Sequence, residues 1–336
     1  MPSVPRREWV KDRVEDLRDN ADELKGVAPN QFNEFGPWSA LKLILHAATT
    51  NMYTKVISQH MDDFFYIDAL AGSGVSVYGD QGDCFLGSPV IAAKNATEPF
   101  TKMYFIENDP DKADALRRRL DEVFENSMVD VTVPEAYQVY EGDANEQLRE
   151  VVNDMWDIAY ENPNGPSFNH FTFIDNQGLD VEWDDGIEKV APTPTGDLLI
   201  NFPTSNIVRT AHHTDSESAM NRFYGGNMWD TEEKNKQTLR EKYCERLTGV
   251  EKEKKVVANV DSGGRNYEYD MIYGTRETNR GSGYIDAVDY VRDFVEAVDG
   301  ADVDEMLEVI RGDRATMDQY LPDDEDGSGQ SSLDSF

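Results

Sequence analysis

The chain has 336 residues, of which 66 are Asp or Glu and 32 are Lys or Arg, giving a formal net charge of −34. That balance excludes the broadly basic surface with which general nucleic-acid coats hold phosphate. The 15 Phe, 15 Tyr and 5 Trp exclude a chain too poor in apolar groups to collapse. A globule of one large or two ordinary domains remains.

Residues 6–25 carry Trp9, Val10, Val14, Leu17, Ala21 and Leu24 at helical spacing, and Pro29 closes that segment. A second helix is predicted from Trp38 to Gln59 after Gly36-Pro37. The pattern then changes to short apolar runs that end in an acid. Phe64–Asp68 feeds the turn Ala69-Leu70-Ala71-Gly72-Ser73-Gly74. Residues 75–87 read as a loop inserted before a helix over 88–95, with Ser88 as its cap and Pro89 in its first turn. Met103–Glu107 is a second strand, and Asp109 is placed to cap the helix after it. Val139–Asp143, Phe171–Asp175 and Asp197–Phe202 are the third, fourth and fifth, with a helix near 146–157. Residues 203–250 read as a helical insertion. Val256–Val260 and Tyr267–Tyr273 make a final strand pair, and helices near 284–298 and 302–320 follow.

Continuous apolar strands alternating with helices predict an α/β fold with a mostly parallel sheet covered on both faces. The organisation expected is N-terminal helices over 1–60, a core over 61–276 containing the insertion 203–250, C-terminal helices over 277–321, and a disordered acidic tail over 322–336.

Ligands of open α/β sheets bind where the strands end, at the point where strand order reverses. Asp68 with Ala71, Gly72, Ser73 and Gly74 lets a ligand approach backbone closely, because glycine has no Cβ. Glu107 is placed to accept from vicinal ribose hydroxyls, and Asp143, with Ala144 beside it, from an exocyclic adenine amine. Together they describe an adenosine-containing ligand. A dinucleotide fingerprint needs a third glycine opening the helix, and Val75-Ser76-Val77 stands there instead. Without a phosphate loop, S-adenosylmethionine suits the turn better than ATP. Asp175 reads equally as a cap or an active-site group, and Asn201-Phe202 offers a polar-aromatic pair at the same rim. His212-His213 lacks partners at ligand spacing, so no metal is expected. Trp183 and Trp229 are expected in the core.

Motif by motif, YIDALAGSG, LGSPVIAAKNA, YFIENDP, EGDAN, FTFIDNQGLDVEW and DLLINFPTSNIVR resemble the three-Cys-motif partner proteins, a group related to class I methyltransferases. FYGGNMW, LREKYCERL and YEYDMIYGTR continue the resemblance, as do Trp38 and Lys42 on the helix before the glycine turn, so it covers about 35–276. It implies a seven-stranded Rossmann-like methyltransferase fold, bound S-adenosylmethionine, and a partner protein bearing three cysteines encoded nearby. The group's usual Asp-Pro after strand four is replaced by Asp175-Asn176-Gln177-Gly178. Enzymes that methylate base amines place a proline and a stacking aromatic there, and this chain has neither. Three readings follow. In the first, a methyltransferase, the methyl group faces Asp175, Gln177, Asn201 and Phe202, with Asp175 and Asn201 as catalytic candidates. The second is a non-catalytic partner module. The third is a nucleic-acid modification or defence component, which predicts a local basic groove drawn from Arg209, Arg222, Arg276 and Arg280.

Two cysteines, Cys84 and Cys244, make no disulfide framework and fit a reducing cytoplasm. No signal peptide or membrane span is read. The acids are spread along the chain and only 14 residues are Lys. That pattern points to a salt-adapted, haloarchaeal source, in which self-repulsion is screened; an ordinary acidic protein is the alternative.

Overall fold

The computed structural model describes residues 6–313 except 35, 81, 164, 193–195, 265–266 and 278–281. The predicted tail, Arg280 and the end of the last predicted helix lie outside the described residues. The segment 6–25 is two helices, α1 (Arg6–Asp16) and α2 (Ala21–Val27), because Asn20 takes a left-handed conformation with φ 61° and breaks the run. Leu17, in the break, is still buried. Helix α3 (Ser39–Ile57) is next.

Strand β1 (Asp63–Asp68) leads into the glycine turn. Residues 75–87 form an antiparallel hairpin, Val75–Tyr78 against Asp83–Leu86, where the sequence reads as a loop. Asn33–Glu34 adds a parallel edge to it. Helix α4 (Ser88–Asn95) is capped by Gly87, and Ser88 is its first helical residue. Then come β2 (Lys102–Glu107), α5 (Pro110–Phe124), β3 (Tyr137–Glu141), α6 (Ala144–Glu161) and β4 (Phe168–Ile174). A π-helical turn over Trp183–Ile187 and the short α7 (Glu188–Val190) lead to β5 (Gly196–Phe202). The predicted helical insertion is α8 (Thr204–Ala211), α9 (Glu217–Tyr224) and α10 (Lys236–Thr248). The chain closes with β6 (Lys254–Asp261), β7 (Glu268–Thr275), α11 (Ser282–Val295) and α12 (Gly300–Arg311).

The seven strands lie in the order β3-β2-β1-β4-β5-β7-β6. Pairings from β3 to β5 are parallel, and β7 runs antiparallel to both β5 and β6. This is a Rossmann-like, mostly parallel α/β sheet with helices on both faces. Strand order reverses between β1 and β4, so the switch point is flanked by the ends of those two strands. β4 and β5 are buried along their whole length, as strands covered on both faces must be.

Each face has its own apolar cluster. One joins α1, α2, α3, α4 and the C-terminal helices to the sheet through Val10, Leu41, Ile91, Phe171 and Val303. The other joins α6 and the insertion through Leu148, Trp183, Phe202, Phe223 and Tyr243. Trp183 and Trp229 are buried there, as their sequence context predicts. No described helix is long and apolar enough to cross a membrane. Cys84 and Cys244 are free thiols.

Candidate functional site at the strand ends

The sheet brings the ends of β1, β4 and β5 together. Asp175 follows β4 directly, and its Oδ1 accepts from Asn201 Nδ2 on β5 at 3.0 Å. Two candidates 26 residues apart in sequence are thus bonded neighbours. Lys42 on α3 completes the group: its ammonium donates to Asp175 Oδ1 at 2.7 Å and Oδ2 at 2.6 Å. Both side chains are largely buried, with 7% and 17% exposure. Asn176 braces the floor. Its Nδ2 donates to the Asn201 carbonyl at 3.2 Å, its Oδ1 accepts from the Val181 amide at 3.0 Å, and Asn201 Nδ2 returns a bond to the Asn176 carbonyl at 2.9 Å. A proline at position 176 would lose the two bonds of the Asn176 side chain and keep only the carbonyl that accepts from Asn201.

A cavity of about 390 Å³ opens beside this group. Lys42, Asn201, Gln177 and Asn206 line its polar side; Trp38, Tyr267 and Tyr269 line its aromatic side, with Glu34 also on the wall. The Trp38 and Tyr267 rings meet at 5.7 Å, and the Tyr269 hydroxyl donates to the Trp38 carbonyl at 2.8 Å. Of the four rim residues predicted, Phe202 is misplaced. Successive strand residues point to opposite faces, so with Asn201 at the cavity Phe202 faces the core, against Phe223 and Tyr243.

Asp68 ends β1 fully buried. The Tyr66 hydroxyl donates to its Oδ2 at 3.3 Å, while Oδ1 is a buried oxygen with no hydrogen bond. Burial pushes its carboxyl up to about 7; the Ser88 hydroxyl offsets part of this, and the charge of Asp175 adds to the rise. Tyr66 also bonds His46 Nε2 at 2.9 Å, one turn along α3 from Lys42. His46 stacks on Phe173 at 4.3 Å and is held down to about 3, chiefly by burial and then by the Lys42 charge.

The glycine turn has the backbone its sequence demands, with φ +64° at Gly72 and +82° at Gly74. It is covered from within: a Cβ on Gly72 would collide with the Asn33 amide. Ala71 is tied to β2, its amide donating to the Ile106 carbonyl at 2.8 Å. Ser73 is fully buried; its hydroxyl donates to the Val75 carbonyl at 3.1 Å and its own carbonyl accepts from Arg119 at 2.6 Å. Glu107 is half-buried, and its Oε1 accepts the Asp109 amide at 2.8 Å. Asp109 caps α5 as predicted. Asp143 is exposed and caps α6 through the Asn145 amide at 2.8 Å, with Ala144 buried behind it. None of these residues lines the cavity beside Lys42.

Of the four arginines proposed for a basic groove, the three described ones do not gather. Arg209 donates to Asn206 at the cavity edge, and Arg222 pairs with Glu182 at 2.5 Å. Arg276 follows β7, which runs antiparallel to β5 and so ends at the far side of the sheet. Arg280 is outside the described residues. His212 and His213 are both exposed, and no group of three or more metal-ligating side chains occurs among the described residues.

Residue-by-residue reading missed the ion pair. Its available signal was a lysine and a histidine four apart in a helix buried on nearly every side over 40–46. A charge there needs a partner, since Lys is almost never buried unpaired.

No family model matches the chain, and no curated protein matches it. Among solved structures it is similar to protein LPL1258 of Legionella pneumophila, of the family model DUF519, at 12% identity and a TM-score of 0.45; the match covers 75% of this chain and 93% of that one. It is also similar to Trm1 from Pyrococcus horikoshii in complex with S-adenosyl-L-methionine, at 13% identity and a TM-score of 0.41, covering 76% of this chain and 58% of that one. At these scores neither likeness bears on what the strand ends do.

Proposed function

We propose that the chain is an S-adenosylmethionine-dependent methyltransferase of the three-Cys-motif partner type, working in the cytoplasm with a cysteine-bearing partner. One observation carries this reading: the Lys42–Asp175–Asn201 group and its cavity flank the switch point of a sheet whose other flank is the glycine turn. The turn fits S-adenosylmethionine. Asp68 has a buried oxygen that lacks a donor; Gly72 and Gly74 bring no Cβ of their own, and a ligand would reach their backbone once the Asn33 amide over Gly72 and Leu116 over Gly74 give way. Asp68, Ala71, Gly72, Ser73, Gly74, Glu107, Asp143 and Ala144 would hold it. When bound, that cofactor supplies an electrophilic methyl group. The chain's own residues do the positioning, which is the main demand of such a transfer. Lys42 holds the Asp175 carboxylate in one orientation, Asn201 fixes it from β5, and Asp175 orients or deprotonates the nucleophile in the cavity.

A second reading, a partner module without catalysis, is favoured by Asn33, which sits where a ligand would approach Gly72. Incubation with the methyl-labelled cofactor and extract of the source cell separates the two. Methyl transfer that D175N abolishes supports the enzyme. Cofactor binding without transfer, with a cysteine-bearing protein recovered on the chain, supports the module.

A further inference from the structure

We infer that the cavity beside Lys42 and Asp175 binds an organic amine as its ammonium ion. The inference deepens the methyltransferase reading, since it names the class of methyl acceptor, and it rests on that reading only there. The bound ammonium has no lone pair, so it would first give a proton to the Glu34 carboxylate; the neutral nitrogen would then take the methyl group as the sulfonium leaves as a thioether.

The charges on the wall point one way. Among the described residues Lys42 is the one cation lining the cavity, and both Asp175 oxygens already hold its ammonium. Glu34 also lines the cavity; its carboxylate is exposed and has no ion pair among the described residues. The pocket therefore keeps one uncompensated negative charge. A phosphate or carboxylate ligand would meet Glu34 and, among the described residues, find no unspent cation; the nearby Arg209 donates to Asn206.

The aromatic side fits the same ligand. Trp38, Tyr267 and Tyr269 sit together on one side of the cavity, with ring centroids 5.7 Å apart for Trp38–Tyr267 and 6.0 Å for Tyr267–Tyr269 and planes tilted by 46° and 56°. Ring faces carry the negative part of the quadrupole and attract cations. A carboxylate beside a group of aromatic rings is a combination that holds an ammonium ion bearing an apolar body. At about 390 Å³ the cavity is of the size that takes a small molecule or a single side chain.

The test uses the full chain and benzyltrimethylammonium, which cannot accept a methyl group, so binding is read apart from turnover. Calorimetry should show saturable binding that is at least tenfold weaker in E34Q and in W38L, with no binding of benzyl alcohol or inorganic phosphate. Glu34 is exposed, so E34Q keeps the test valid even where W38L unfolds. Absence of saturable binding, equal binding in wild type and E34Q, or preferential binding of phosphate would overturn the inference. S-adenosylhomocysteine is titrated into the same samples. Its binding without that of the amine defeats this inference alone; the reverse defeats the methyltransferase reading alone.

Discussion

Lys42 and Asp175, 133 residues apart in sequence, form a two-point ion pair that joins α3 to the end of β4. Two charges taken out of water need each other. Removing one partner of a buried pair leaves the other uncompensated and typically costs about 3–5 kcal/mol, whereas replacing both is far milder. K42M and D175N should therefore each lower unfolding stability by about that much, and K42M/D175N should lose less than the two combined. Denaturant titration of the four proteins measures the coupling. Additive losses would mean that the pair is not formed in solution.

Asp68 makes stability fall as pH rises. Its carboxyl is raised to about 7 in the folded chain, against 3.8 for the ordinary group. Between those values the native state holds a proton that the unfolded state has released, so stability is lost as pH climbs from about 4 to 7. His46 acts in the opposite sense. Held down to about 3 from 6.5, it is neutral when folded, and stability is lost as pH falls below 6.5. D68N should remove Asp68's share of the first slope, leaving the share of Asp197, whose carboxyl burial raises to about 6, and leave the acid-side loss intact. Thermal melting at half-unit steps from pH 4 to 8 reads both, and a D68N profile parallel to wild type would refute the assignment.

Arg119 is a fully buried guanidinium whose hydrogen bonds among the described residues all go to main-chain carbonyls. It donates to Leu24 at 3.1 Å, Ser73 at 2.6 Å, Ala28 at 2.8 Å and Gln31 at 2.6 Å. It thereby ties the N-terminal segment to the glycine turn. R119M should leave those carbonyls without their donor, at about 1–3 kcal/mol for each that water cannot reach. Amide exchange should rise first in α2 and the hairpin, and uniform exchange across the chain would contradict this pinning role.

Salt adaptation, proposed from the spread of 66 acidic residues, predicts a protein that loosens when screening is withdrawn. From 1 M to 0.1 M salt the screening length grows from about 3 Å to about 10 Å, so carboxylates repel over longer reach. The melting temperature should rise steadily with KCl across that range. A flat response would leave the acidity without that explanation.

The architecture was legible because buried strands and amphipathic helices write different periods. The acid-ended apolar runs at Asp68, Glu107 and Asp175 mark strand ends in the sheet as the pattern predicts. Hairpin 75–87 was not, since its strands are four residues each and one is packed on both faces, which leaves no alternation to read. Phe202 was assigned to the rim from its neighbour Asn201, although adjacent strand residues cannot share a face. Asp143 is a helix cap, because an acid one residue before a helix satisfies that helix's free amides whatever else it does, and its part in holding a ligand stays a proposal. Lys42 and Asp175 could not be paired from sequence, as nothing local records which strand end α3 crosses.

The central claim is that the strand ends around Asp68 and Glu107 hold S-adenosylmethionine. Calorimetric titration of the whole protein in molar KCl with S-adenosylhomocysteine tests it most directly. The account predicts saturable one-to-one binding, weakened at least tenfold in D68N and in E107Q. No binding at millimolar ligand, or binding unchanged in both variants, would contradict it.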